Sequence, residues 1–214
     1  MNVEIDGGLT VEINQKDKTA KLKKIPNEVD TLIIPRYAEY KNQKYTIISL
    51  SFSYSSSKIG FLTFPEDSEV EKIEMNCFHG THIRKLKIPP KLKYLEYSWA
   101  TCLYDLSEIE ISPKNDSFIY YDNKFLLGKS ENDSGEFDVL YFTRRDIEEV
   151  VIPDQVRIIK KDSLSNSNQM KSVTFSSNSK LESIDEFAFS HSKFQKLMLP
   201  GTIEVIKYCL FCYA

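Results

Sequence analysis

Ile83-Arg-Lys-Leu86-Lys-Ile88-Pro89 returns later in the chain as Ile147-Glu-Glu-Val150-Val-Ile152-Pro153, and again as Phe194-Gln-Lys-Leu197-Met-Leu199-Pro200. Looser copies are Ile59-Gly-Phe61-Leu-Thr-Phe64-Pro65, Leu106-Ser-Glu-Ile109-Glu-Ile111-Ser112-Pro113 and Met170-Lys-Ser-Val173-Thr-Phe175-Ser176, with an early fragment at Leu32-Ile-Ile34-Pro35. Apolar-x-apolar is a strand period, so Leu86 and Ile88 face one way and Lys87 the other. Proline has no N–H to give a ladder, so it ends the strand and turns the chain.

A second half-motif follows each turn. Leu92/Leu95 come after Pro89, Val156/Ile159 after Pro153 and Ile203/Ile206 after Pro200, with Val70/Ile73 and Leu181/Ile184 in the copies that have a longer bend. Four residues past the second member stands a small or apolar residue, usually followed by a bulky one: Cys77-Phe78, Ser163-Leu164, Ala188-Phe189 and Leu210-Phe211, with Trp99-Ala100 inverted. Pro89 to Ser112 spans 112 − 89 = 23 residues, Pro153 to Ser176 also 23, and Ser176 to Pro200 24. A unit this short cannot bury its apolar side alone, but stacked units can. The spacing therefore predicts a solenoid whose short parallel strands stack into a curved sheet, mostly β with loops and short helical turns. Leu86 and Val150 are expected in its core.

The units resemble leucine-rich repeats of the BspA-like, bacterial-surface-antigen type, which read approximately L-x-x-I-x-I-P-x-x-V-x-x-I-x-x-x-A-F-x-x-C. Ser183-Ile184-Asp-Glu-Phe187-Ala188-Phe189 and Leu86-Lys-Ile88-Pro89-Pro-Lys-Leu92-Lys-Tyr-Leu95 carry the resemblance, which covers about residues 30–214. The chain departs from the pattern in lacking an Asn/Cys ladder and a closing Cys in clean register. Its last unit stops at Ala214 within its final turn, as in a truncated or a continuing array. The resemblance implies adhesion, or binding of host or matrix proteins, at a cell surface.

Two stretches break the period. Residues 1–29 hold Asp6-Gly7-Gly8, an alternating Leu9-Thr-Val11-Glu-Ile13, the turn Asn14-Gln-Lys-Asp17 and Ala20-Lys-Leu22, which read as a β-hairpin cap on the open end of the stack. Pro113 to Pro153 spans 40 residues, too many for one unit. Phe118-Ile-Tyr-Tyr121, Asp122-Asn123, Lys124-Phe-Leu-Leu127, a polar stretch to Glu136 and Phe137-Asp-Val-Leu-Tyr-Phe142 read as strand, tight turn, strand, loop and strand. The expected organisation is one domain over 1–214: the cap (1–29), repeats (30–112), a repeat with an antiparallel β insertion on the solenoid's side (113–146), and repeats (147–214).

Composition narrows the function. Of 214 residues 41% are hydrophobic and 28% charged, an ordinary balance for a folded chain, and Lys plus Arg (28) against Asp plus Glu (31) leaves −3. That charge lacks the basic footprint of a nucleic-acid binder. No stretch approaches the roughly 18 apolar residues of a spanning helix, so membrane insertion is not expected. Met1-Asn-Val-Glu-Ile-Asp-Gly-Gly has no apolar leader core, so sequence alone reads as cytoplasmic where the resemblance implies surface display or secretion. Cys77, Cys102, Cys209 and Cys212 are too few for a disulfide scaffold and are expected as buried, reduced thiols, the C-x-x-C at 209–212 included. Asn115-Asp-Ser117 and Asn132-Asp-Ser134 fit the glycosylation sequon.

No nucleophile elbow, P-loop, dinucleotide fingerprint or metalloprotease motif is present. His79-Gly-Thr-His82 pairs two imidazoles without a third ligand nearby in sequence, and His191 sits at the equivalent boundary of a later unit, which reads as loop histidines. Asp105, Glu108, Glu110 and Asp116 read as a charged rim. Arg144-Arg145-Asp146 with Glu148/Glu149 reads as local ion pairing. Neither catalysis nor a cofactor is expected.

The residues between the buried strand positions form an outward ladder: Thr63, Lys87, Glu110, Val151, Thr174 and Met198, flanked by Lys85, Glu108, Glu149, Ser172 and Lys196. Mixed in sign and partly apolar, it suits a protein partner. Tyr94, Tyr97 and Trp99, with Tyr104, Phe118, Tyr120 and Tyr121, add aromatics of the kind that dominate binding energetics. The leading expectation is a non-enzymatic protein-binding module of surface-antigen type. The competing ones are an intracellular interaction scaffold and, more distantly, a metal protein or enzyme using His79/His82. Open solenoid ends leave room for a monomer or for self-association.

Overall fold

The computed structural model describes residues 1–52, 57–130, 135–193 and 195–212. Phe194, which heads one repeat copy, the sequon at Asn132 and the terminal Ala214 lie outside them. The chain folds as a β-solenoid with almost no helix, in two compact units, 1–116 and 117–214.

The first unit contains β1 (Asn2–Ile5), β2 (Leu9–Asn14), β3 (Thr19–Lys24), β4 (Thr31–Ile33), β5 (Tyr37–Tyr40), β6 (Gln43–Leu50), β7 (Phe61–Thr63), β8 (Lys72–Ile73), β9 (Lys85–Ile88), β10 (Tyr94–Leu95) and β11 (Glu108–Ile111). The apolar-x-apolar-Pro halves of the repeat form one parallel sheet in the order β4-β7-β9-β11. Leu62 pairs with Leu86 and Leu86 with Ile109, so the buried positions stack into a column. The second halves form another sheet, in which Leu50, Ile73 and Leu95 stack through β6, β8 and β10. The repeat thus builds two sheets rather than one, because the Val-x-x-Ile half also returns in register every coil.

The expected cap is present and larger than a hairpin. β1, β2 and β3 run antiparallel, and β3 then pairs parallel with β6, so the cap is continuous with the second sheet. Gly7 and Gly8 turn the chain with φ of +78° and +71°, backbone that glycine adopts without a Cβ penalty. The Asn14 side chain organises the next turn, its Oδ1 accepting from Lys16 N at 3.1 Å and Asp17 N at 3.3 Å.

The second unit contains β12 (Phe118–Tyr121), β13 (Phe125–Gly128), β14 (Val139–Thr143), β15 (Glu149–Ile152), β16 (Ile158–Ile159), β17 (Ser172–Phe175), β18 (Ser183–Ile184), β19 (Lys196–Leu197) and β20 (Val205–Ile206). The stretch expected as an antiparallel β insertion is antiparallel and is continuous with a sheet of this unit. β12, β13 and β14 run antiparallel, and β14 pairs parallel with β16, which continues through β18 to β20. These strands open the unit's sheet as β1–β3 open theirs. Asp122 and Asn123 make the hairpin turn with φ of 51° and 49°, the left-handed pair that suits a two-residue hairpin. Gly128 carries no side chain where Phe118 and Tyr141 meet edge-to-face at 5.4 Å; a Cβ there would lie 2.7 Å from the Tyr141 ring. The outer sheet runs β15-β17-β19. Between the two sheets Leu140, Val150, Ile152, Val156, Ile159, Val173, Leu181 and Ile184 form a core of nearly zero exposure.

The third side of each coil is built from consecutive β-turns. Left-handed residues recur in pairs: Asn76 and Gly80, Ser98 and Cys102, Asp162 and Asn166, Phe187 and His191. Such residues interrupt any helix. Where the family pattern closes on Cys, this chain buries Thr81, Ser167 and Ser192. Thr81 Oγ1 donates to Phe78 O at 2.8 Å, and Ser167 and Ser192 Oγ donate to Leu164 O at 3.0 and 2.7 Å. A hydroxyl replaces the thiol and satisfies a buried carbonyl.

Candidate interaction surface

The alternation that buries Leu86 and Ile88 turns Lys85 and Lys87 outward, and parallel pairing places Lys85 beside Glu108 and Lys87 beside Glu110. The first unit's face therefore neutralises itself. Lys85 Nζ lies 2.5 Å from Glu108 and 3.6 Å from Glu110; Lys87 Nζ lies 2.5 Å from Glu66 and 3.9 Å from Glu110. Hydrogen bonds from Lys87 and then Ser112 hold the Glu66 carboxyl below the usual glutamate range, and Glu108 holds the Lys85 ammonium above its own. Glu66 stands just past Pro65, in the longer bend of its unit, at a position the spacing pattern leaves unspecified. Ile33, 61% exposed and paired with Thr63, extends the same face and was legible as the middle residue of Leu32-Ile-Ile34.

The second unit's face is different in kind. Glu149, Ser172 and Lys196 pair across β15, β17 and β19, and Val151 pairs with Thr174. Met198 follows β19 two residues past Lys196. Val151 is 60% exposed and Met198 63%, with Leu199 beside it also exposed. Among the described residues no ion pair involves Glu149 or Lys196. The outward ladder expected as one run thus falls on two separate sheets, because β12–β14 join the other sheet and supply no rung between Glu110 and Val151.

The aromatics divide. Tyr94 and Tyr97 are exposed, but Tyr94 is on β10 in the sheet of returning strands, away from β9 and β11. Trp99, expected among the exposed aromatics, is buried at 3%, its indole edge-on to Phe78 with centroids 6.0 Å apart. The inverted order Trp99-Ala100 places the bulky ring where other coils carry a small residue, so it fills the interior.

The charged clusters resolve into structural contacts. His82 Nδ1 lies 2.9 Å from Asp105 and His79 Nε2 3.6 Å from Cys102 Sγ, pairings between neighbouring coils. Among the described residues no group of three or more His, Cys, Asp or Glu is placed to hold a metal. Arg144 makes the expected bidentate pair with Asp146, at 2.9 and 2.6 Å. Arg145 is buried over the Phe142 ring and donates to Ser163 O and Asp162 O at 3.1 and 3.0 Å. Asn115, the first sequon, spends its amide nitrogen on Pro89 O (2.8 Å) and Leu92 O (2.9 Å), the nitrogen that a glycan would need. The cysteines correct expectation in part. Cys77 is buried, and desolvation pushes its thiol far up; Cys102 and Cys212 are half-buried, and Cys209 is exposed.

The pattern of the BspA type leucine rich repeat region matches residues 36–126 and 137–214, in six copies. No curated protein matches the chain. Among solved structures, a leucine rich cell surface protein from Faecalibacterium prausnitzii is 15% identical, with a TM-score of 0.49 over 95% of this chain and 77% of that one. The pneumococcal vaccine antigen PcpA is 13% identical, with a TM-score of 0.45 over 95% and 71%. A leucine-rich repeat protein from Bacteroides ovatus is 11% identical, with a TM-score of 0.45 over 95% and 60%.

Proposed function

The chain belongs to the BspA-type leucine-rich repeat family, and from that premise we propose that it is a non-enzymatic protein-binding module whose recognition face is the outward side of β15, β17 and β19. The observation that carries this reading is the exposed apolar pair Val151 and Met198, flanked by Glu149, Ser172, Thr174 and Lys196. Apolar area removed from water contributes about 25 cal/mol per Å², and charges at the rim select the partner and speed its approach. The surface-antigen type of the repeat supports a host or matrix protein as that partner.

The test is binding of the purified chain to a panel of immobilised extracellular-matrix proteins, with a cytosolic extract as comparison. A Val151→Asp/Met198→Asp variant is expected to lose roughly tenfold or more in affinity for the matrix component, on the scale of interface hot spots. A Lys85→Ala/Glu108→Ala variant is expected to keep its affinity. Capture from cytosol alone would replace the matrix partner with an intracellular one, and binding indifferent to both substitutions would remove the assigned face.

A further inference from the structure

The last turn runs Cys209-Leu210-Phe211-Cys212 and closes on itself. Cys212 N donates to Cys209 O at 3.2 Å. An i+3 to i hydrogen bond of this kind is a β-turn, which brings the two Cα atoms within about 7 Å, and disulfides bridge Cα separations of roughly 4.4–6.8 Å. The side chains also meet: the thiols of Cys209 and Cys212 are hydrogen-bonded to each other, which raises the pKa of Cys212. Cys209 is exposed and carries φ of 55°.

We propose that Cys209 and Cys212 form a reversible dithiol–disulfide pair, oxidised by a low-molecular-weight disulfide such as oxidised glutathione. The exposed Cys209 thiolate attacks one sulfur of the small disulfide. A Cys209–sulfur bond forms, the small disulfide's S–S bond breaks, and the departing thiolate takes up a proton. Cys212 then loses its proton and attacks the Cys209 sulfur, closing the protein disulfide and expelling the second small thiol. Two protein thiols have given up two electrons and two protons, and one small disulfide has become two thiols.

Closure acts on the neighbouring coil. Leu210 O accepts from Phe189 N at 3.1 Å and Cys212 O from His191 N at 3.3 Å, so the stapled turn holds the acceptors of two amides in the preceding turn. Cross-linking a four-residue loop lowers the population of its open form by about 20-fold on chain-entropy grounds, and exchange at those amides slows accordingly.

The experiment equilibrates the full chain with oxidised and reduced glutathione and reads intact mass, free thiols and amide exchange. The expected product is lighter by about 2 Da, retains Cys77 and Cys102 as thiols, and exchanges about 20-fold more slowly at the Phe189 and His191 amides. Cys209→Ser and Cys212→Ser abolish the mass loss, and Cys102→Ser keeps it. A persistent glutathione adduct, an unchanged mass, a mass loss surviving in Cys209→Ser, or unaltered exchange at both amides would overturn the proposal.

Discussion

Replacing Leu86 by Ala tests the stacking on which everything else depends. Leu86 has zero exposure and stands between Leu62 and Ile109 in register. Truncation removes three carbons, worth about 2.4 kcal/mol at roughly 0.8 kcal/mol each. A cavity term adds to this, because the walls cannot close: Lys85 N donates to Gly60 O at 3.0 Å and Glu108 N to Arg84 O at 3.1 Å, fixing the rungs on either side. The expected loss is about 3–4 kcal/mol, a large share of the roughly 5–15 kcal/mol typical of a folded domain. Lys87→Ala, on the outward side of the same strand, should cost less than about 1 kcal/mol, since its partners are exposed carboxylates. Urea unfolding followed by Trp99 fluorescence and by circular dichroism measures both variants, because Trp99 is the chain's single tryptophan and is buried beside Phe78. A Leu86→Ala cost below about 1 kcal/mol with an unchanged urea slope, or equal costs for the two variants, would refute the register.

Three further outcomes are expected. Lys72 holds the Glu96 carboxyl below the usual glutamate range, ahead of the opposing effect of burial; a depressed folded-state pKa contributes stability above the unfolded value, which is lost as pH falls through the folded one. Thermal melts should therefore show stability falling below about pH 4.5, with a shallower acid limb in Glu96→Gln; identical limbs would remove the pair's contribution. Asn115→Ala removes the amide donor from Leu92 O and from Pro89 O, which keeps the Leu92 N–H at 3.3 Å, and should cost about 1–3 kcal/mol by chemical denaturation, whereas a neutral result would mean water serves them equally well. Val151→Asp/Met198→Asp should leave stability within about 0.5 kcal/mol of the parent, and a larger loss would show that these side chains are packed rather than presented.

How far the sequence could be read follows from the range of the forces involved. The rungs at β7, β9, β11, β15 and β17 were legible because alternation and a terminating Pro or Ser are local signals. The strands at 118–121 and 139–143 were legible for the same reason, yet their role was not: that β14 joins β16 depends on pairing with a later coil. The β5–β6 hairpin escaped notice because its turn is Lys41-Asn42, with φ of 50° and 60°, and lacks the glycine that usually marks such a turn. The residue ladder on the surface could be listed, but not which of its charges are already engaged. Lys87 is satisfied by Glu66, 21 residues away in the bend after Pro65, a position the repeat pattern leaves unspecified. Trp99 and Cys209 failed in opposite directions, since burial on the turn side is decided by what the neighbouring coil places there.

That unequal engagement of charge bears on where a partner docks. A ligand covering β9 and β11 must remove water from Lys85, Lys87, Glu66, Glu108 and Glu110, ions that already satisfy one another. Desolvating such a network costs several kcal/mol per ion unless the ligand supplies matching hydrogen bonds. A ligand covering β15 and β17 meets Val151 and the Thr174 methyl, whose removal from water is favourable, and finds Glu149 outside any ion pair among the described residues. The two faces share one backbone pattern, so their difference lies in the outward letters alone. Exchanging Val151 and Thr174 for Lys and Glu, the pair at the matching rung position in the first unit, should preserve the fold and abolish docking. If docking survived that exchange, the recognition face would have to be sought elsewhere on the coil.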